Sequence, residues 1–445
     1  MTKRRAPRRD AMEARLEDAM LPGDFIPYAA SGDFVSGLEE IARRIESIGH
    51  ADPGRAVHLF DVFLAACYEK AEEVDDSGGD LGGFVEALFG RWMKARQAAD
   101  ADPDETARLL LVRMDDDPYG FASHLEREAL KTLDKAALAS LEQQVRIRFD
   151  SAGIADNHRE ATHTRRRWAE VLRSLVAHRR DVPGYLRLCE ETETTPQDCV
   201  AVAKILRSLR KPEEALSWVV RGLALSKEQP HGWQAESELV KMKRELLARV
   251  GRGDDALTDA WTAFAEQPGR FSYEDLMRFV PKAERAPWHV KAMEAAEHAE
   301  LAAHVELLLA TKETKRLVER LRRASDVELE ELSHYKMGLA VKCLAKSHPG
   351  IAARLHRALG MRILNAKKSR CYDAALGNFE DARACYERAG LRHEWHALVA
   401  EIRGAHRRKA GFIAGFDRLA EGRRPGAAPS FLERARTRWS AGDSR

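Results

Sequence analysis

Apolar residues recur every three or four positions over most of the chain, and alternating apolar and polar runs are nearly absent. The one alternating run, residues 145–149, fits equally well the end of a helix that begins near Lys135. Strong helix formers (Leu, Ala, Arg and Glu) dominate the composition. Clusters of Gly and Pro separate the periodic segments; they are Asp52-Pro53-Gly54, Ser77-Gly78-Gly79, Asp117-Pro118-Tyr119-Gly120, Pro183-Gly184, Gln267-Pro268-Gly269 and His348-Pro349-Gly350. The pattern predicts an all-α protein of short helices joined by tight turns.

Two copies of a helix–turn–helix unit follow one another between residues 198 and 267. The first copy has an apolar face at Leu216, Val219, Val220 and Leu223, and the second repeats it 41 residues later at Leu257, Ala260, Trp261 and Phe264. The turns before these helices align at the same offset. A helical hairpin cannot bury its apolar stripe alone, whereas stacked hairpins bury a continuous one. We therefore predict an irregular right-handed α-solenoid of antiparallel helix pairs, similar to tetratricopeptide repeats.

The same reading divides the chain into four parts. Residues 1–20 are expected to form a flexible basic tail, residues 21–152 an N-terminal helical bundle, residues 153–420 the solenoid, and residues 421–445 a basic C-terminal tail. The boundary between bundle and solenoid is placed near Ala152–Asn157.

Composition limits the cellular locations and the kinds of partner that we expect for this protein. No window approaches 18 apolar residues, so we expect no transmembrane helix, and the basic start MTKRRAPRRD has no apolar stretch behind it, so we expect no secretory signal. The 73 basic and 71 acidic residues leave a net charge of +2, which argues against bulk electrostatic binding of nucleic acid or membrane as the main role. The six cysteines form no CxxC or CxC pair and suit a reducing cytoplasm.

Few residue patterns point to catalysis or to metal binding. No GxSxG, HExxH, Walker A or GxGxxG motif occurs. Asp75, Ser77 and Glu86 have EF-hand spacing, but Asp80 stands where that loop needs Gly, so an acidic surface loop is favoured. Other weak candidates for metal binding are the carboxylates at 115–117 and the Cys343, His348 and His356 group. We therefore predict a non-enzymatic protein without a metal or cofactor.

Two basic segments are candidates for contact with nucleic acid or an anionic partner. One lies in a predicted long helix at residues 156–179 and the other lies near the C-terminus, where cations three or four residues apart share a helix face. The candidate residues are Arg165, Arg166, Arg167, Arg403, Arg407, Arg408 and Lys409. The tryptophans, by contrast, are expected to be packing residues, with any exposed one facing a partner-binding groove.

Several short segments, in their order along the chain, resemble the long helical region of bacterial SWIM zinc-finger family proteins and related uncharacterised proteins. This resemblance covers roughly residues 20–420. The finger itself needs a CxC pair followed by a CxH pair, and neither occurs, so the zinc-dependent binding that the finger implies does not carry over. The segments are Val74–Gly79, Asp116–Gly120, the two repeat turns, Arg354–Leu359, Tyr372–Leu376 and His406–Phe412.

These observations favour a cytoplasmic bacterial scaffold or adaptor that presents a concave helical surface to a segment of a partner protein. The alternative is a nucleic-acid-associated protein that uses a basic C-terminal helix, with a zinc finger supplied by a separate partner. The partner's identity, the oligomeric state and the cellular process are not determined by the residues.

Overall fold

The computed structural model describes residues 11–21, 23, 25–152, 158–229, 232–366 and 369–422. Within these residues the chain is helical throughout and forms no strand, with one isolated bridge between Ile26 and Val74. The predicted all-α class is confirmed. The alternating run at 145–149 is the end of a helix that begins at Lys135, which was one of the two predictions for this segment.

The described residues hold 23 α-helices, most of them 10–22 residues long. The first twelve are α1 (Ala11–Met20), α2 (Tyr28–Gly49), α3 (Pro53–Lys70), α4 (Asp80–Ala98), α5 (Pro103–Asp115), α6 (Leu125–Thr132), α7 (Lys135–Ser151), α8 (His158–His178), α9 (Val182–Glu191), α10 (Pro196–Ser208), α11 (Pro212–Glu228) and α12 (Trp233–Arg249). The others are α13 (Gly253–Glu266), α14 (Arg270–Phe279), α15 (Arg285–Ala295), α16 (Leu301–Thr311), α17 (Thr314–Arg323), α18 (Asp326–Glu331), α19 (His334–Leu344), α20 (Pro349–Asn365), α21 (Tyr372–Ala389), α22 (Arg392–His406) and α23 (Ala410–Ala420).

The chain divides into two compact units between Leu246 and Leu247. The predicted boundary near 152 falls partly on residues 153–157, which lie outside the described residues. In the first unit the apolar core extends from Leu16 to Leu188, on both sides of that position. The placement of the bundle and solenoid boundary therefore stays a prediction.

Residues 11–20 differ from the flexible tail expected for the first 20 residues. They form α1, and Leu16 is buried in the core of the first unit. Met12, Ala19 and Met20 pack against the same core. The apolar residues at 12, 16, 19 and 20 follow helical spacing, so the segment has a stripe that it can bury. Residues 1–10 and 423–445 of the predicted tails lie outside the described residues.

Side-chain caps start many helices in the first unit. Asp52, Asp102, Asp134 and Asp181 each accept a hydrogen bond from a backbone N–H in the first turn of the following helix. Such caps satisfy donors that have no partner inside the helix. Proline follows in the first turn at α3, α5 and α9, where its missing N–H costs nothing. The turns at Asp52-Pro53 and at Pro183-Gly184 are therefore helix starts.

Several hairpins share one turn geometry. Arg210 and Gly251 stand two residues before α11 and α13, and their φ angles of 61° and 81° are left-handed. In both turns the next residue donates its N–H to the carbonyl five positions back, which closes the end of the preceding helix. The same two features precede α9, α17 and α22, where the left-handed residues are Arg180, Lys312 and Gly390. The two turns predicted 41 residues apart are thus confirmed as one repeated conformation.

The apolar face predicted for α11 is wrong at Val220, which is 52% exposed. The predicted Leu216 and Val219 are buried, and the buried stripe runs through them together with Ala215 and Gly222. A Cβ at Gly222 would lie 2.8 Å from the Cβ of Cys199 on α10 and 3.0 Å from the methyl groups of Leu239 on α12. Because the helices approach α11 most closely at this glycine, the contact surface is rotated away from Val220.

In the second unit, aromatic residues hold the last helices together. The Phe412 and Phe416 rings of α23 stack with centroids 5.5 Å apart, and both rings contact Phe379 of α21. On α20, Gly360 faces Phe379 so closely that a Cβ would lie 2.6 Å from its ring. The predicted face of α21, with Phe379 and Tyr386 buried, is confirmed.

Candidate functional site

A cleft of about 750 Å³ lies in the first unit between α6, α8, α9 and the start of α10. Its volume falls within the range of about 300–1,000 Å³ that is typical of ligand-binding clefts. The cleft contains the three consecutive arginines that the sequence singled out on the predicted long helix. We name it the arginine cleft; its lining includes Arg127, Arg165, Arg166, Arg167, Arg173, Tyr185, Asp198, Gln229 and Gln234.

The three consecutive arginines have different surroundings. The Arg165 guanidinium lies 4.3 Å from the centre of the Phe149 ring. Arg167 donates a hydrogen bond to the carbonyl of Met114 and lies 5.2 Å from the Trp168 ring. Arg166 is exposed and has no ion pair or hydrogen bond with the described residues. Stacking and hydrogen bonding therefore hold two guanidinium groups in place on either side of one that is open to solvent.

A buried ion pair between α8 and α10 forms part of the wall of the arginine cleft. Arg173 Nε lies 2.7 Å from Oδ1 of Asp198, whose side chain is 3% exposed. The Tyr185 hydroxyl donates to the same oxygen at 2.9 Å. The N–H and hydroxyl of Thr195 both donate to Oδ2, which makes Asp198 part of the capping box of α10. Both oxygens of the Asp198 carboxylate therefore have partners within the chain, and these contacts hold the wall of the cleft together.

Burial and the neighbouring Asp198 carboxylate both raise the pKa of Tyr185, burial being the larger cause. The same two causes raise the pKa of Cys189 to about 11. Both groups therefore remain protonated at neutral pH. A thiol becomes a good nucleophile when its pKa is lowered, so these shifts do not create a reactive cysteine beside the cleft.

A second carboxyl group lies at the opposite edge of the arginine cleft. Glu126, at the start of α6, is 6% exposed, and its Oε2 has no hydrogen-bond partner among the described residues. Burial raises the pKa of Glu126, against the smaller opposing effects of His124 and Arg127. No sequence motif marks this residue, because its burial depends on the packing of α6 against α8.

An exposed tryptophan lies between two residues of the sequence that line the arginine cleft. Trp233, the first residue of α12, is 66% exposed, while its neighbours Gly232 and Gln234 line the cleft. The expectation that tryptophans are packing residues fails here, whereas Trp395 is 5% exposed. Exposed tryptophans are common anchors in protein interfaces.

The sequence analysis expected the C-terminal cations to share one helix face, but the structure places them differently. α22 ends at His406, and Arg407, Arg408 and Lys409 lie in the turn before α23. Arg403, on α22, lies 2.7 Å from Asp417 Oδ1, and Lys409 donates to the carbonyl of Leu364. Arg407 and Arg408 are exposed and have no ion pair with the described residues. The loss of helix at 407 therefore leaves two of the four cations available to a partner.

Several of the carboxylates considered for metal binding, or their immediate neighbours, make other contacts. The Asp76 carboxylate, next to the candidate Asp75, caps α4, since it accepts hydrogen bonds from the backbone of Leu81 and Gly82. Asp115 pairs with Arg148, and Asp117 accepts from the Tyr68 hydroxyl. Among the described residues, no group of three or more His, Cys, Asp or Glu side chains is arranged to hold a metal ion.

The sequence analysis missed a chain of hydrogen bonds in the second unit. The Tyr273 hydroxyl lies 2.7 Å from Nδ1 of His289, and Nε2 of His289 lies 3.0 Å from Oε1 of Glu313. Burial is the largest cause that raises the pKa of Tyr273, so the hydroxyl is not activated as a nucleophile. The three residues are far apart in sequence and carry no shared motif.

The fold and the cleft define an all-helical protein of repeated hairpin turns with a polar cleft in its first unit. The model of a family of unknown function, DUF6880, matches residues 23–414, and the chain therefore belongs to this family. A comparison with curated proteins found no match. The resemblance to SWIM zinc-finger proteins stays a prediction. Among the described residues, no helix has the length and apolar character needed to cross a bilayer.

Proposed function

We propose that this protein is a non-enzymatic interaction scaffold whose arginine cleft receives an acidic segment of a partner protein. The single observation that carries the proposal is the exposed Arg166 between two guanidinium groups that are already fixed, all three at the edge of one cleft. Guanidinium groups recognise carboxylates through paired hydrogen bonds, and stacking on an aromatic face leaves their N–H edge available.

The charge of the cleft favours an acidic segment over a neutral one. Its lining includes five arginines against four carboxylates, and one of those carboxylates, Asp198, is already neutralised by Arg173. Gln229 and Gln234 add amide groups suited to a peptide backbone. Trp233, between the lining residues Gly232 and Gln234 in the chain, supplies exposed aromatic surface. Together these groups suit an extended peptide with carboxylate side chains.

The proposal includes the finer architecture expected from the sequence, an irregular right-handed α-solenoid similar to tetratricopeptide repeats. What supports it is the shared left-handed turn before five helices and the 41-residue spacing of two of those turns. Location in the bacterial cytoplasm is proposed from the cysteine pattern alone.

A peptide-binding measurement tests the function. The probe is a fluorescein-labelled peptide in which Glu alternates with Ser, and binding is followed by fluorescence anisotropy at low ionic strength. Arg166→Glu is expected to weaken binding by at least about tenfold, because it places a like charge in the centre of the cleft edge. Trp233→Ala is expected to weaken binding as well.

Arg187→Glu is the matched control, because Arg187 is exposed in the same unit but lies outside the arginine cleft. Its affinity is expected to stay within about twofold of the unsubstituted protein, since distant surface charges are screened. Equal losses in Arg166→Glu and Arg187→Glu would mean that the peptide responds to overall charge, and the proposal would be abandoned. Absence of binding to the unsubstituted protein would have the same consequence.

The second candidate is binding of nucleic acid through the C-terminal segment. The observation that favours it is the pair of exposed cations, Arg407 and Arg408, in the turn before α23. Two phosphate contacts give a weak interaction with a shallow salt dependence, since the slope of log K against log[salt] is about −0.9 per contact. A salt titration of DNA and RNA binding, with Arg407 and Arg408 both replaced by Ala, tests it. If binding is absent at low salt, or if the double variant binds with an unchanged salt slope, this candidate fails.

A further inference from the structure

A smaller cavity, of about 230 Å³, lies in the second unit beside α16 and α17. We name it the His304 pocket, and His304, Lys315 and Arg320 line it. It is several times the volume of about 30 Å³ that one water molecule occupies in the liquid. The pocket is independent of the arginine cleft, which belongs to the first unit.

Two polar groups at the His304 pocket are buried without a partner. His304 is 3% exposed, and neither Nδ1 nor Nε2 has a hydrogen-bond partner among the described residues. Nε of Arg320 is also buried and without a partner. Buried polar atoms nearly always have a partner, and a bound water or ion is one of the few explanations for those that do not.

The charges around the pocket are not balanced. Its two carboxylates are already paired, Glu297 with Arg316 at 3.2 Å and Glu319 with Arg323 at 2.8 Å. Lys315 and Arg320 line the same pocket, and neither has an ion pair with the described residues. Two cations are thus left uncompensated beside an imidazole that lacks partners.

We propose that the His304 pocket binds a small tetrahedral oxyanion of the phosphate class. The Arg320 guanidinium and the Lys315 ammonium would supply the charge, and the imidazole N–H of His304 would donate one hydrogen bond. Burial, with Arg320 as the next largest cause and Arg316 as a smaller one, lowers the pKa of His304 to about 4, while Glu297 opposes the change. An anion in the pocket opposes the electrostatic effect of Arg320 and Arg316 on the imidazole. It therefore also makes protonation of His304 less unfavourable.

Isothermal titration with inorganic phosphate at constant ionic strength tests the proposal. One equivalent is expected to bind, and Arg320→Gln is expected to weaken the affinity by at least about tenfold, because it removes a charge-assisted contact. Lys315→Gln, at an exposed position, gives a second variant whose folding is not at risk. Arg322→Gln is the matched control, because Arg322 lies on the same helix, is exposed and does not line the pocket.

A second arm uses O-phosphoserine in place of inorganic phosphate. Binding of both compounds means that the pocket accepts a phosphate monoester, whereas binding of phosphate alone means that it takes the free ion. As an independent readout, phosphate is expected to shift the imidazole resonances of His304 in NMR spectra and to raise its pKa. Equal effects of Arg320→Gln and Arg322→Gln, or no saturable binding of either compound, would overturn the proposal.

Discussion

Arg173 of α8 and Asp198 of α10 form an ion pair 2.7 Å long, and their side chains are 15% and 3% exposed. The pair joins two helices that both border the arginine cleft. Asp198 also accepts hydrogen bonds from Tyr185 and Thr195. One carboxylate therefore starts α10, fixes its packing on α8 and shapes the wall of the cleft.

The first prediction concerns this pair. Asp198→Asn keeps the size of the side chain but leaves the guanidinium of Arg173 without its counter-charge, so the free energy of unfolding is expected to fall by about 2–4 kcal/mol. Urea denaturation followed by circular dichroism measures it. Asp52→Asn is the control, because Asp52 is an exposed cap that only accepts a backbone hydrogen bond, and Asn caps helices as well as Asp does, within about 0.5 kcal/mol. Similar losses in both variants would show that the pair contributes nothing beyond capping.

The second prediction concerns the repeated turn. Gly251 has a φ of 81° and open space around its Cα, so Gly251→Ala is expected to cost about 1 kcal/mol through backbone strain alone. Arg210 holds the same position in the other copy, and Arg210→Gly is expected to raise the free energy of unfolding by a few tenths of a kcal/mol, because relief of strain exceeds the lost chain stiffness. Gly253→Ala serves as control, because Gly253 is the first residue of α13 and has no left-handed backbone, and the change is expected to be neutral. A neutral Gly251→Ala would contradict the shared geometry.

The third prediction compares two glycines inside helices. Gly360→Ala places a methyl group 2.6 Å from the Phe379 ring and is expected to destabilise the protein by about 1–3 kcal/mol through overpacking. Gly377 on α21 has nothing within 4 Å of a built Cβ, so Gly377→Ala is expected to stabilise by about 0.5–1 kcal/mol through helix propensity. Thermal unfolding of both variants checks the opposite signs. A neutral or stabilising Gly360→Ala would mean that α20 and α21 are not packed this closely.

The fourth prediction concerns pH. Because burial lowers the pKa of His304 to about 4 from an ordinary 6.5, the unfolded chain binds a proton between these values that the folded chain does not. The contribution of His304 to the free energy of unfolding is therefore constant above pH 6.5 and is expected to fall by about 3 kcal/mol as the pH drops to 4. Urea denaturation in phosphate-free buffer, compared with His304→Gln, isolates this group from the others that titrate. Parallel pH profiles for the two proteins would contradict the prediction.

The sequence by itself determined the helical class, several helix starts and the position of the repeated turns. These features depend on local chemistry: the spacing of apolar residues selects a helix, while Asp, Thr and Pro satisfy its first N–H groups. The turn at Gly251 is one that the local sequence determines, since glycine is the residue that favours a left-handed backbone. Arg180 and Lys312 adopt the same conformation without such a signal, because the packing of the flanking helices imposes it.

The tertiary structure alone decided the environments of the residues in the candidate sites. Sequence reasoning named Arg165, Arg166 and Arg167, but their different environments depend on Phe149 and Met114, which come from other helices. Nothing in the local sequence of His304 or Glu126 distinguishes a buried group without a partner from an exposed one. Burial and charge balance are properties of atoms brought together from distant positions, and periodicity along one helix carries no information about which helix lies opposite.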